Sequence, residues 1–420
     1  ELVASILESE GYKQAEQIDD SDLILINTCS VRDHAEARVK NKLDSYNALK
    51  KHNGDVVIGV LGCMAQRLGF HLIDEKGIVD FVVGPDGYRK LPEILSNIRN
   101  HKEFDQTPDI NNYETYSDIY PSRVAGISAW VAVMRGCNNF CAYCIVPYVR
   151  GRERSRSMEN VLAEVRQLIA DGYSEVTLLG QNVNSYHDGN NDFADLLRQV
   201  SRIEGIQRVR FATSHPKDLS PKLLQTIGEN ERICNHIHLA VQSGSNKILE
   251  KMNRKYTREH FLSLIKMSRE FIEDPGIYTD VIVGFPGETE QDFNDTMNLI
   301  EQVKFDGAFT FKYSPRSGTA AARLEETVSE EEKQDRLTRL IRMQQEITLN
   351  NNRQLIGSIQ QILIEGPDKK EQPNHFMGRT GTNKIVVFRS EENTLAGSMS
   401  DVKITNAEGQ TLFGELKHTK

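Results

Sequence analysis

The pattern of apolar and polar residues divides this chain of 420 residues into three stretches with different periodicities. In the first, short apolar runs are separated by polar, helix-prone segments, which is typical of buried parallel strands joined by crossover helices. The runs lie at residues 22–27, 56–61 and 78–84, and a helix is expected over residues 88–98. Residues 1–105 are therefore predicted to form a small, doubly wound α/β domain.

A regular alternation of strands and amphipathic helices follows, after an irregular polar linker at residues 106–124. Ser157 is placed to cap the first of these helices, and Ser329 with Glu332 forms a predicted capping box for a long helix toward Asn350. Residues 125–352 are predicted to form a partial, open (βα)6 barrel, which binds ligands at the carboxyl ends of its strands. The predicted strands are residues 128–134, 175–179, 208–212, 236–241, 277–283 and 308–313.

The third stretch, residues 353–420, alternates apolar and polar positions between glycine-containing turns. This pattern predicts a small β-barrel. Small barrels of this kind often bind oligonucleotides, although fold alone is a weak basis for assigning function. Residues 374–384 combine aromatic and basic side chains, so Arg379 and Lys384 are candidates for RNA contacts, with an ordinary solvated loop as the alternative.

Composition limits the cellular compartments and the binding partners that fit this chain. It has 38% hydrophobic and 26% charged residues and no apolar run of the roughly 18 residues that a membrane-spanning helix needs. Six unevenly spaced cysteines do not make a disulfide framework, so we expect a reducing cytoplasm and no membrane. The net charge of −9 means that a nucleic acid would have to bind through local basic patches. The chain opens within a predicted helix, so we expect further sequence upstream of Glu1.

Three cysteines, Cys137, Cys141 and Cys144, fall within eight residues directly after the first predicted barrel strand. Thiolates are soft ligands, so this C-x3-C-x2-C spacing indicates an iron–sulfur or zinc site. The nearest following histidine is His187, so no fourth ligand lies on the same loop. Three ligands leave one iron of a four-iron cluster open for chemistry, whereas buried structural thiols are the alternative interpretation.

Two further cysteines occupy matching places in the N-terminal domain. Cys29 follows the first predicted strand and Cys63 follows the second. Both are expected at the carboxyl edge of a parallel sheet, where ligand crevices form. We expect them to share a metal centre, although each alone could be a small buried hydrophobe. A third ligand must then come from elsewhere. Cys234 has no companion thiol and is predicted to be a core residue.

Polar or glycine-rich loops follow the other predicted barrel strands, and together they indicate a small-molecule pocket. For each single side chain, a role in satisfying its own loop remains open. The candidates for cofactor contacts are Gln181, Asn182, Gln242, Ser243, Gly284 and Glu288.

A run with a basic residue at every second position follows the cysteine triad. In an extended segment these side chains would lie on one side and could contact phosphates, although solvation is the usual fate of such runs. The four residues are Arg150, Arg152, Arg154 and Arg156.

With their flanks, the cysteine segments resemble those of the radical S-adenosylmethionine methylthiotransferases. The segments are GCNNFCAYCIVPY (136–148) with RGRERSR (150–156), NTCSVR (27–32) and GCMAQ (62–66). The C-terminal barrel resembles the TRAM domain of that family, and the resemblance covers essentially the whole chain. LGQNVNSY (179–186) and TSHP (213–216) resemble the branch that acts on isopentenylated adenosine in tRNA. One departure is that the family's third N-terminal cysteine lies upstream of the position matching Cys29, before this chain begins.

The resemblance implies a mechanism with two [4Fe–4S] clusters. Cys137, Cys141 and Cys144 would hold a cluster whose open iron binds S-adenosylmethionine and produces a 5′-deoxyadenosyl radical. The radical would take hydrogen from C2 of the isopentenylated adenine next to the anticodon. Cys29, Cys63 and the missing third cysteine would hold the cluster that carries the sulfur, and a second S-adenosylmethionine would supply the methyl group. The implied partners are tRNA and an electron-donor protein, and we expect a monomer.

Two alternatives are open at this point. The first is a related methylthiotransferase that acts on threonylcarbamoyl-adenosine in tRNA or on an aspartate of a ribosomal protein. The second belongs to another class: an RNA-binding module stabilised by zinc, without catalysis. Iron and sulfide content distinguishes the second from an enzyme, and substrate assays distinguish the first.

Overall fold

The computed structural model describes residues 1–30, 33–69, 71–102, 110, 114–368, 374–390 and 396–417. These residues divide into two units. The first comprises Glu1–Val124, Arg135–Ser155 and Arg316–Ala322, and the second comprises Ala125–Met134, Arg156–Pro315 and Arg323–Lys420. The segment with the cysteine triad therefore groups with the N-terminal domain.

The N-terminal part of the first unit is a parallel sheet of three strands in sequence order, β1 (Leu23–Thr28), β2 (Val57–Gly62) and β3 (Phe81–Val83). Its alternate strand residues enter two separate apolar clusters, one with Ile24, Ile58 and Val60 and the other with Leu61 and Phe81. Both faces of the sheet are thus covered, as the predicted doubly wound fold requires. The elements are α1 Leu2–Ser9, β1 Leu23–Thr28, α2 Asp33–His52, β2 Val57–Gly62, α3 Cys63–Leu68, α4 His71–Lys76, β3 Phe81–Val83 and α5 Leu91–Arg99.

The predicted linker is only partly described, because residues 106–109 and 111–113 lie outside the described residues, as do residues 31 and 32 of the NTCSVR segment. Its remaining part packs on the N-terminal domain. The Tyr116 hydroxyl donates to the Pro85 carbonyl at 3.0 Å and accepts from the Tyr88 backbone amide at 3.0 Å. Arg89 pairs with Glu114 at 2.7 Å. A segment that looks irregular in sequence therefore has defined contacts.

Six parallel strands in the second unit form an open barrel. The first three, β4 (Ser128–Ala132), β7 (Glu175–Leu179) and β10 (Arg208–Ala212), pair in one ladder. The other three, β11 (His236–His238), β12 (Gly276–Val283) and β13 (Gly307–Lys312), pair in another. Bridges from Val209 to Ile233 and from Ser214 to Leu239 join the two ladders. No ladder among the described residues joins β4 to β13, so the prediction of a partial (βα)6 barrel is confirmed. The strands are β4 Ser128–Ala132, β7 Glu175–Leu179, β10 Arg208–Ala212, β11 His236–His238, β12 Gly276–Val283 and β13 Gly307–Lys312.

Helices and short strands fill the intervals between these strands. Ser157 accepts from the Asn160 amide at 3.3 Å and caps α7 as predicted, and Ser329 forms the predicted capping box with Glu332 at the start of α13. No helix in the described part of the chain is long and apolar enough to cross a bilayer. The remaining elements are β5 Met134–Arg135, α6 Val146–Arg150, β6 Arg154–Ser155, α7 Met158–Ala170, β8 His187–Asp188, β9 Asn191–Asp192, α8 Phe193–Ser201, α9 Pro221–Gly228, α10 Asn246–Lys251, α11 Arg258–Phe271, α12 Glu290–Val303 and α13 Glu330–Arg353.

The C-terminal stretch is a closed five-stranded barrel around an apolar core, as predicted. Arg208 and Arg210 donate to backbone carbonyls of this barrel, and Lys384 pairs with Asp306 just before β13. Its loops also lie against Ile127, Ser174, Asn235 and Gly276. The small barrel therefore covers the amino-terminal end of the open barrel and leaves the carboxyl ends of the strands to a ligand. Its strands are β14 Ile359–Pro367, β15 His375–Thr380, β16 Ile385–Arg389, β17 Met399–Glu408 and β18 Thr411–Leu416.

Candidate active site

The cysteine triad lies on a loop between β5 and α6 that is closed by its own backbone. The Cys137 amide donates to the Gly151 carbonyl at 3.2 Å, and the Cys144 amide donates to the Cys141 carbonyl at 2.9 Å. Gly136 has a φ of +74°, and a Cβ there would lie 2.0 Å from the Arg152 carbonyl oxygen. Only glycine fits this close approach, which lets the backbone at Gly151 and Arg152 pass directly beside Gly136 and Cys137.

Burial shapes the chemistry of the triad. Cys137 and Cys141 are buried and Cys144 is half-buried. Burial raises the pKa of the Cys137 thiol to about 11, so this side chain needs a cation to be a thiolate at neutral pH. Among the described residues, no three His, Cys, Asp or Glu side chains already stand in a metal-binding arrangement. The donor chemistry nevertheless suits an iron–sulfur cluster, because three thiols lie within eight residues on one loop.

Cys29 and Cys63 follow neighbouring positions of paired strands. Thr28 at the end of β1 is the register partner of Gly62 at the end of β2, so the two cysteines leave the same sheet edge. The Thr28 hydroxyl donates to the Leu61 carbonyl at 2.5 Å and accepts from the Met64 amide at 3.2 Å, which fixes the turn. Cys63 is buried and Cys29 is exposed. The edge therefore presents two thiols, as a shared metal centre would need.

Helix α6, which follows the triad loop, packs against Cys63. Ile145 and Val149 form an apolar cluster with the Cys63 side chain. The Nε of Arg150 donates to the Cys63 Sγ at 3.2 Å. Burial opposes the charge of Arg150, but the neighbouring Cys63 and Tyr88 raise its pKa, so the guanidinium stays charged. Within the first unit, the two sets of cysteines are thus connected through one short helix.

The prediction of a single basic face on residues 150–156 is wrong. Helix α6 ends at Arg150 and Gly151 has a φ of +70°, so the segment is not extended. Arg154 is buried and donates to both oxygens of Asp86, at 2.9 and 3.1 Å. Arg156, in the second unit, is buried and pairs with Glu164 at 2.5 Å. Arg152 alone among the four is exposed.

At the carboxyl ends of the barrel strands, several buried polar atoms have no hydrogen-bond partner among the described residues. Three belong to predicted cofactor residues, namely Gln181 Oε1, Asn182 Oδ1 and Gln242 Oε1. Sequence reasoning missed two others, Ser214 Oγ after β10 and Tyr313 Oη after β13. Both residues lie at strand ends followed by polar loops, and that polarity was the one sequence feature that could have indicated them as ligand contacts. Buried polar atoms without partners are costly, so these five suit a polar ligand.

The other three predicted cofactor residues are engaged within the fold. The Ser243 hydroxyl lies 3.3 Å from the Thr296 hydroxyl, and the Glu288 carboxylate accepts from the Gly284 amide and from Arg336, both at 2.9 Å. A Cβ at Gly284 would lie 2.3 Å from the Lys333 side chain. These contacts within the fold account for a serine at position 243, a glycine at 284 and a glutamate at 288. Contact between any of these residues and a cofactor stays a prediction.

The two candidates for RNA contact in the C-terminal barrel differ from each other. Lys384 is buried, and its Nζ pairs with Asp306 at 2.6 Å and donates to Asn352 at 3.0 Å. This corrects the expectation that it faces a nucleic acid, because its charge is used to hold the small barrel on the open one. Arg379 is partly exposed and pairs with Glu365 at 2.9 Å.

Three family models match the chain in order. The model described as uncharacterized protein family UPF0004 matches residues 1–84, the radical SAM superfamily matches residues 131–300, and the TRAM domain matches residues 353–417. Radical SAM membership implies a [4Fe–4S] cluster and S-adenosylmethionine. The chain is also similar in structure to a radical S-adenosylmethionine methyltransferase, TsrM, of Kitasatospora setae. That likeness has a TM-score of 0.58 and 16% identity and covers 76% of this chain and 68% of that one, so it concerns the fold alone.

Curated relatives match over nearly the full length. A tRNA-2-methylthio-N(6)-dimethylallyladenosine synthase of Syntrophomonas wolfei is 47% identical, covering 99% of this chain and 94% of that protein. Proteins of the same name from Thermoanaerobacter pseudethanolicus and Bacteroides fragilis are 47% and 44% identical, each over 99% of this chain and over 89% and 92% of those proteins. The chain therefore belongs to the radical S-adenosylmethionine methylthiotransferases, in the tRNA-2-methylthio-N(6)-dimethylallyladenosine synthase family.

Proposed function

We propose that this chain is a tRNA modification enzyme that adds a methylthio group to C2 of N6-isopentenyladenosine next to the anticodon. The observation that carries the proposal is the presence, in one chain, of a three-thiol loop and a separate two-thiol sheet edge. A single metal-stabilised binding module would need only one of them. The names of the full-length relatives support the choice of tRNA as the substrate.

The two thiol sets are proposed to hold two [4Fe–4S] clusters. Cys137, Cys141 and Cys144 would hold one, and Cys29 and Cys63 would supply two ligands to the other. When bound, the cluster on the triad loop would, with S-adenosylmethionine, supply a 5′-deoxyadenosyl radical that takes hydrogen from C2. The cluster at the sheet edge would supply the sulfur, and a second S-adenosylmethionine would supply the methyl group. The chain itself supplies binding, orientation and exclusion of water.

The strand-end residues are proposed to bind S-adenosylmethionine. Gln181, Asn182 and Gln242 have buried oxygens that would accept from its ammonium group, because these atoms have no partner among the described residues. The same end carries Ser214 and Tyr313, whose hydroxyls could donate to the cofactor carboxylate. The C-terminal barrel closes the opposite end, which keeps water from entering the barrel behind the cofactor.

RNA contact is proposed to involve the C-terminal barrel and the exposed Arg152 beside the triad loop. The proposal leaves out Lys384, because its charge is used in a buried ion pair with Asp306, and Arg379 would first have to release Glu365. We further propose that the enzyme works in the cytoplasm as a monomer and receives electrons from a donor protein.

The test is a comparison of two substrates. Anaerobically reconstituted protein is incubated with S-adenosylmethionine and a reductant, once with isopentenylated tRNA and once with ribosomes, and the products are analysed by mass spectrometry. We expect a methylthio group on isopentenyladenosine and no change in any ribosomal protein. A methylthio group on a ribosomal aspartate, with tRNA unchanged, would contradict the proposal. Isopentenyl-free tRNA is the matched control and should remain unmodified.

A further inference from the structure

A single half-buried arginine joins the two cysteine sets within the first unit. Arg150 is the last residue of α6, which begins two residues after Cys144. Its Nε donates to Cys63 Sγ at 3.2 Å. A hydrogen bond from a charged donor is about twice as strong as one between neutral groups, so this contact ties the Arg150 side chain to the Cys63 sulfur.

The charge of Arg150 is not used by a carboxylate. The neighbouring acid, Asp86, is already bound by Arg135 at 3.1 Å and by Arg154 at 2.9 Å. In the part of the chain that the structure describes, Arg150 forms no ion pair with Asp or Glu. A half-buried cation without an acidic partner loses part of its hydration, so a nearby group that supplies negative charge stabilises it. The sulfur of Cys63 is the group placed to do so.

The position of the guanidinium is also fixed. Ile145 and Val149 pack on Cys63 from the same helix, and Arg154 Nη1 donates to the Arg150 carbonyl at 3.1 Å. Arg150 is therefore held at both its backbone and its side chain. This arrangement differs from that of Arg152, which is exposed and lies 4.5 Å from the Phe140 ring centroid.

We propose that Arg150 is a positioning residue for the N-terminal cluster, which donates a charged hydrogen bond to its Cys63 ligand and stabilises its reduced form. The proposal rests on the proposed function, because it assumes that Cys63 is a cluster ligand. Hydrogen bonds to the sulfurs and nearby charge are among the properties that set the reduction potential of iron–sulfur clusters. A cation beside the ligand favours the more negative, reduced state and so raises the potential.

The experiment measures the potential of this cluster in the full chain. In a background of Cys137→Ala, Cys141→Ala and Cys144→Ala, only the N-terminal cluster can form, and its reduction is followed by electron paramagnetic resonance in a redox titration. We expect Arg150→Gln to lower the equilibrium constant for one-electron reduction at least tenfold, which corresponds to about 59 mV. Arg152→Gln, two residues away and exposed, should leave the potential unchanged. An unchanged potential in an iron-loaded Arg150→Gln chain would overturn the proposal.

A second variant covers the case in which Arg150→Gln does not retain iron. Arg150→Lys keeps the positive charge without the planar guanidinium. If the Lys variant retains iron where the Gln variant loses it, the charge is what the cluster needs and the proposal stands. If both lose iron equally, Arg150 serves only packing and the proposal fails. A background chain with no iron on Cys29 and Cys63 would instead contradict the proposed function itself.

Discussion

Burial determines what individual side chains in this chain can do. Arg154 and Lys384 both occur in basic stretches that suggest nucleic-acid contact, yet each is buried in an ion pair with an aspartate. Removing one partner of such a pair leaves an uncompensated buried charge, so these residues contribute to the fold. Cys234, in contrast, is buried as the sequence predicts. Among the basic residues after the triad, exposure leaves Arg152 as the candidate for phosphate contact.

Single substitutions in the two cysteine sets should abolish different products of the reaction. Cys141→Ala should abolish formation of 5′-deoxyadenosine, because a cluster on the loop would lose one of three ligands. Cys63→Ala should retain 5′-deoxyadenosine formation and lose the methylthio product. Chromatographic measurement of both products from each variant checks this reciprocal pattern. Continued cleavage of S-adenosylmethionine by the Cys141→Ala chain would refute the assignment of the loop.

A buried histidine after β10 should make stability depend on pH. Burial, assisted by Arg254 and Lys217, lowers the pKa of His215 to about 2 from an ordinary value of 6.5. Between these values the unfolded chain binds a proton that the folded chain does not. Stability from this group is therefore present above pH 6.5 and lost as the pH falls, by at most about 1.4 kcal/mol per pH unit.

The matched comparison is His215→Asn against His260→Asn. Asparagine retains an acceptor for the Lys217 amide, which His215 Nδ1 now accepts at 3.1 Å, but it does not titrate. Urea unfolding at pH 6.5 and pH 5 should show a smaller loss of stability for His215→Asn than for the parent. The exposed His260 variant should behave like the parent. Equal losses in all three chains would show that His215 is protonated in the folded state.

At the scale of elements, the interface between the two barrels of the second unit is polar and buried. Arg210 donates to the Glu175 carboxylate at 2.7 Å and to the Thr380 carbonyl at 2.7 Å. Arg208 donates to the Gln361 carbonyl at 2.9 Å. These bonds hold the small barrel against the amino-terminal ends of the open-barrel strands. We therefore predict that the interface contributes a large part of the free energy of unfolding of the second unit.

Arg210→Met should therefore destabilise the chain by about 3–5 kcal/mol, because it leaves the buried Glu175 carboxylate without a cation, with the Ser128 hydroxyl as its remaining side-chain partner among the described residues. The double variant Arg210→Met with Glu175→Gln should recover part of this loss. Lys222→Gln is the control, since Lys222 pairs with Asp195 at the surface and such pairs contribute about 1 kcal/mol or less. Denaturant unfolding measures the free energy of unfolding of the two single variants and the double variant. A loss for Arg210→Met no larger than that for Lys222→Gln would show that the interface is solvated.

The elements were predictable where periodicity was strong. All six barrel strands lie within two or three residues of their predicted bounds, because strands covered by helices leave continuous apolar runs. The start of the long helix was predictable from the capping box at Ser329. The pairing of Arg150 with Cys63, 87 residues apart, was not, since contacts between distant segments leave no periodic signal. Nor could alternation show that α6 and Gly151 interrupt the basic run.

At the scale of the whole molecule, three family models and full-length relatives assign the chain to one family, and five of its cysteines fall into two sets. Both cysteine sets belong to the first unit, and the buried polar strand-end atoms belong to the second. The central claim is that the cysteines hold two iron–sulfur clusters. Three thiols on one loop and two at one sheet edge support this claim.

Iron and acid-labile sulfide in anaerobically prepared protein test this claim most directly. Two four-iron clusters predict about eight iron and eight sulfide per chain, and about half of each when Cys137, Cys141 and Cys144 are replaced by alanine. Zinc analysis of the same samples serves as the control. Stoichiometric zinc without sulfide would contradict the account and favour a metal-stabilised RNA-binding module.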